Sequence, residues 1–136
     1  MLELSTESRV LAGILLLALI TVESGGYFMT KVIRRKVPTT ELQEKFFRAG
    51  HAHAGVWLTL GLIVLLLVEA SGLTGLWAYV ARIGVPFGAI LAPAGFFLSV
   101  VHRGATQPNR LFVLIWLGAI SFTLGVGSAG IGLLLG

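Results

Sequence analysis

Four separate runs of apolar residues, each near the length needed to cross a bilayer, punctuate this 136-residue sequence. A hydrocarbon core about 30 Å thick takes roughly 20 residues of α-helix. The stretches 8–29, 49–70, 76–101 and 111–135 meet that length. Composition agrees, since 56% of residues are hydrophobic, only 12% are charged and the mean hydropathy is +0.93, which excludes disorder and is unusual for a soluble globule. The pattern predicts an all-α integral membrane protein. One domain over 1–136 holds four transmembrane helices in an up-down bundle.

The charges set an orientation for that bundle. Lys31, Arg34, Arg35, Lys36, Lys45, Arg48, Arg103 and Arg110 fall in or beside the first and third loops, while Arg9 and Arg82 fall at the other end. By the positive-inside rule the basic loops face the cytoplasm and both termini face outward, as in a multi-pass protein of the cell inner membrane. The net charge of +4 comes from these bunched topology signals rather than from a phosphate-binding surface, so no nucleic-acid partner is expected. The first apolar run lacks a basic leader and outruns a signal-peptide core, which makes it a retained helix. The hydrophilic segment 31–48 contains Pro38-Thr39-Thr40-Glu41, an N-cap pattern that predicts a short surface helix ending at Phe47. Pro86 and Pro93 are expected to kink the third span or to be accommodated by neighbouring helices. Ser121, Gly125 and Ala129 form a small-residue ladder suited to close approach, within the bundle or between copies.

Cysteine is absent, which excludes disulfides, thiolate metal sites, iron–sulfur clusters and covalently attached haem. Chemistry therefore rests on other groups, and these gather at the cytoplasmic edge. His51 and His53 open the second span, His102 closes the third, Asn109 and Arg110 precede the fourth, and Glu23 lies in the later half of the first. Ionisable groups in spans are costly and mark functional or paired positions. At 100° per residue, His51 and His53 point to nearly opposite sides of one helix, so a shared metal ion would need His102 and Glu23 as well. The small residues Gly50, Ala52, Ala54 and Gly55 leave the helix surface around His53 bare, as a flat macrocycle or a close helix contact requires. Glu69 and Arg82, on helices joined by a short turn at the other face, are expected to pair, with Trp77 and Tyr79 in an interfacial belt there.

The run Ala52-His53-Ala54-Gly55-Val56-Trp57-Leu58-Thr59, followed by Gly95-Phe96-Phe97 and Pro108-Asn109-Arg110, resembles the ordered motifs of membrane styrene oxide isomerases and, more loosely, hydroxylaminobenzene mutases. The resemblance implies a four-helix enzyme that binds haem b non-covalently, assembles as a homotrimer and uses ferric iron as a Lewis acid to rearrange a small hydrophobic epoxide. On that basis His53 is the axial haem ligand, and the metal site is His53. His51, Arg48, Asn109 and Arg110 contribute to cofactor binding, with Glu23, His102 and Arg103 as further candidates near the propionates. The positions that match the family's substrate-holding Asn and Tyr are Thr59 and Phe97. A phenylalanine offers no hydroxyl with which to polarise a substrate. Two readings of other classes stand beside this one: an accessory subunit of a membrane complex, and a membrane protein with a non-haem metal site.

Overall fold

A computed structural model describes residues 3–135. These residues form four long helices: α1 (Thr6–Ile33), α2 (Glu41–Ser71), α3 (Gly75–Leu98) and α4 (Val113–Leu135), the last entered through a 3-10 turn at Arg110–Phe112. All four are long and apolar enough to cross a membrane. They pack as a bundle in which α3 lies between α2 and α4, and α1 rests mainly on α2.

Each helix begins where a short polar side chain satisfies an otherwise orphaned amide. Ser5 accepts from the Ser8 amide at the start of α1. Thr40 and Gln43 form a reciprocal capping box at the start of α2. That box corrects two expectations at once. The surface helix ending at Phe47 and the span beginning at residue 49 are a single helix of 31 residues, because no proline or capping signal interrupts the chain between them. At 1.5 Å per residue α2 is about 46 Å long, so its first turns project beyond a hydrocarbon layer of about 30 Å. It stops at Gly72, whose φ of 67° is left-handed and favours glycine. The third span ends at Leu98 rather than at residue 101, and α3 stays helical through Pro86 and Pro93, both buried.

The packing of α3 on α4 is backbone against backbone. A methyl group built on Gly84 would lie 2.7 Å from Gly125 Cα, one on Gly95 2.6 Å from Ile115 N, and one on Gly118 would strike the Ala92 amide. The Ser121 hydroxyl donates to the Gly84 carbonyl at 2.9 Å, and Ala129 is buried among Val64, Val68, Ala78, Ala81 and Val85. The small-residue ladder of α4 is thus used inside the bundle. Against α2, by contrast, α1 packs through Leu15, which reaches toward Gly61, and through Met29 and Val32 beside Phe47. Among the described residues α1 makes no packing contact with α4.

Two polar networks close the ends. At one, Glu69 accepts from the Ser5 amide and hydroxyl, from the Ser8 hydroxyl at 2.6 Å and from Arg82 Nε at 3.0 Å, which ties α1, α2 and α3 together and realises the expected Glu69–Arg82 pair. At the other end, Gln43 Nε2 donates to the carbonyls of Val100 and His102, and Thr40 Oγ1 donates to Ala105 O. The first and third loops therefore meet at the same end of the bundle. Replacing Gln43 with leucine should cost about 2 kcal/mol, since two carbonyls lose their donor. Limited proteolysis should then cut the 99–109 segment faster than in the unsubstituted protein.

Candidate functional site

His51 and His53 leave α2 on opposite sides, as their spacing requires. His53 sits between aromatic rings: Phe96 of α3 at 5.1 Å and Trp57 of α2 at 5.3 Å between centroids. Those contacts belong to a longer row, in which Phe112 meets Phe46, Phe46 meets Phe96, and Trp57 stacks on Phe122 at 4.1 Å. The row clamps α2 to α3 and α4 and fixes the plane of the imidazole.

The hydrogen bond of His53 determines which nitrogen is free. Nδ1 lies 2.7 Å from the Ala49 carbonyl, one helical turn back, which makes Nδ1 the protonated nitrogen. Nε2 has no partner among the described residues and is not sealed from the surroundings. It therefore keeps a lone pair for a ligand, in the arrangement by which histidines that bind metals are usually oriented. The ring borders a shallow surface depression of about 180 Å³ lined by Ala52, His53, Val56 and Trp57.

Of the small residues around His53, most are occupied by packing. A methyl on Gly50 would fall 2.9 Å from both Phe96 Cβ and Phe97 Cε2, and Ala54 is buried. Ala52 remains exposed beside the imidazole, and Gly55 faces Val22 loosely. The bare surface expected around His53 is narrower than four small residues imply.

The other candidates are dispersed. His51 faces α1, where a methyl on Gly26 would lie 3.4 Å from its Cε1 and one on Gly25 3.5 Å from its Nδ1. The glycine pair that interrupts the first span thus provides the seat for this ring. Thr59 is exposed, its hydroxyl donating to the Gly55 carbonyl one turn back. Phe97 stacks on Phe47 at 5.6 Å and lines the cleft that contains His51; its neighbour Phe96 is the residue that meets His53. Asn109 is engaged on both ends of its amide, donating to Leu98 O and accepting from the Leu111 amide, which joins the end of α3 to the start of the 3-10 turn. Arg48, Arg103, Arg110, His102 and Glu23 are exposed. Among the described residues no three His, Cys, Asp or Glu side chains come together as a metal site, so Glu23 and His102 do not converge with either histidine of α2.

Sequence reasoning did not single out Phe96 and Trp57 as the rings that hold His53. Trp57 lies four residues after His53, the spacing at which helical side chains meet. Phe96 has no comparable signal, since its partner depends on how α3 is rotated against α2.

The residues present are suited to haem in their donor chemistry: one imidazole with the iron-binding nitrogen free, an apolar flanking surface, and exposed arginines at the same end of the bundle. Comparison with known protein families, with curated proteins and with solved structures finds no match to this chain.

Proposed function

We propose that this is a haem b-binding integral membrane protein in which His53 ligates the iron through Nε2. The observation that carries the proposal is the 2.7 Å contact of Nδ1 with the Ala49 carbonyl, which orients the ring and leaves Nε2 accessible beside an apolar surface. Arg48 and Arg110 would neutralise the propionates from the basic end of the bundle, as guanidinium groups do for carboxylates. Because the depression is shallow, the far face of a flat cofactor would be covered by lipid or by another copy, in keeping with the homotrimer that the family resemblance implies. The basic loops place that end at the cytoplasmic face of an inner membrane.

When bound, ferric haem supplies a Lewis acid for rearranging a small hydrophobic substrate. The protein's own contribution to such a reaction is narrower than in styrene oxide isomerases. Thr59 spends its hydroxyl proton on Gly55 O, and Phe97 is packed on Phe47 away from His53. We therefore place haem binding ahead of epoxide opening in this reading.

The test is an absorption spectrum of protein purified in detergent from haem-supplemented cells. A Soret band is expected, and His53→Ala should remove it while leaving the helical circular dichroism unchanged. A colourless unsubstituted protein, or a band that survives in His53→Ala, overturns the proposal; the former result would favour an accessory subunit.

A further inference from the structure

On the opposite side of α2 from His53, a cleft of about 310 Å³ opens between α1, α2 and α3. It exists because α1 and α3 barely touch, and because Ala18, Gly25, Ala54, Ala89 and Ala94 present small side chains to it. From Ala18 to Gly25 it follows α1 for about 10 Å. Leu58, Ile90 and Phe97 complete an apolar wall.

Three polar groups interrupt that wall. His51 makes no hydrogen bond among the described residues, yet its ring nitrogens are not sealed off. Pro93 has no N–H, so the Ala89 carbonyl four residues earlier lacks its helical donor, and both residues line the cleft. Thr21, also in the lining, donates its proton to Ala18 O and keeps lone pairs free. The cleft thus offers several acceptors and one imidazole N–H, and His51 is its one ionisable lining residue. A charged guest would have no counter-ion there and would meet the full cost of desolvation. A hydroxyl suits the inventory, because it donates to an acceptor and accepts from the imidazole in one contact.

We propose that this cleft binds a small, neutral, lipid-soluble alcohol or phenol, which enters from the bilayer between α1 and α3 and places its hydroxyl against His51 and the Ala89 carbonyl. The site is separate from the surface beside His53. Its two histidine neighbourhoods are divided by α2, with Phe97 in this cleft and Phe96 on the other side.

The probes are 1-naphthol and naphthalene, which differ by the hydroxyl alone, measured by equilibrium dialysis against the full chain in nanodiscs and against empty nanodiscs. Saturable binding above the empty-disc background is expected, with 1-naphthol preferred by roughly tenfold, about the worth of one hydrogen bond in an apolar site. His51→Leu should abolish that preference while naphthalene still binds, and His51→Gln should restore part of it. Ala94→Leu, which fills the cleft from its half-buried rim, should weaken both probes at least tenfold. His51→Leu should also leave the haem content of the protein unchanged. The proposal is overturned by the absence of a saturable component, by a hydroxyl preference that persists in His51→Leu, by undiminished binding in Ala94→Leu, or by haem loss in His51→Leu, which would assign His51 to the other site.

Discussion

Glu69→Ala should destabilise the bundle by about 3–5 kcal/mol, the usual consequence of removing one partner from a buried ion pair. The Glu69 side chain is 9% exposed and that of Arg82 22% exposed, so the guanidinium left behind would sit largely in apolar surroundings with Ser8 as its remaining partner. Ser5 and Ser8 would lose their acceptor in the same step, which loosens the N-terminal turn of α1 from α2 and α3. Reversible unfolding in mixed detergent micelles would measure the effect. The double variant Glu69→Ala, Arg82→Ala should recover a substantial part of the loss, because no charge is then stranded. If the two single substitutions merely add, the network is not the unit described above.

A comparable loss is expected at the α3–α4 seam. Gly118→Val should cost about 3 kcal/mol or abolish folding, since even a methyl at this position runs into the Ala92 backbone, which cannot rotate away as a side chain could. Gly127→Ala lies on the same helix with nothing within 4 Å of the added carbon, and it should be neutral or mildly stabilising through helix propensity. The pair is best compared in one thermal-melt series in detergent. Equal effects at the two positions would show that α4 responds to glycine content in general rather than to the contact at Ala92.

Long apolar runs made the four helices readable, because crossing a membrane demands both length and low charge. The boundary of α2 was less accessible. Residues 41–48 are hydrophilic and follow a capping box, which in isolation looks like an interfacial helix. Only the absence of a break between Phe47 and Ala49 shows that the helix continues. The opposed directions of His51 and His53 followed from helical period alone. Convergence of Glu23 and His102 with them could not, since it depends on how each helix is rotated in the bundle, and both residues turn out to be exposed. The glycines near His53 illustrate a deeper ambiguity. A helix needs small residues both to admit a cofactor and to admit another helix. Gly50 serves the second purpose, against Phe96 and Phe97. Likewise, the sequence identified Glu69 and Arg82 as partners but not Ser5 and Ser8, because serines near a helix start read as caps.

The Glu69–Arg82 contact also bears on how the chain enters the bilayer. The two residues are only 13 apart in sequence, across the turn between α2 and α3. A nascent chain can therefore deliver them to the membrane as one neutralised hairpin rather than as two separate charges. Ser8, 61 residues before Glu69, has already left the ribosome by then. The first helix thus waits in lipid for its anchor, and the arrival of the second and third completes its attachment.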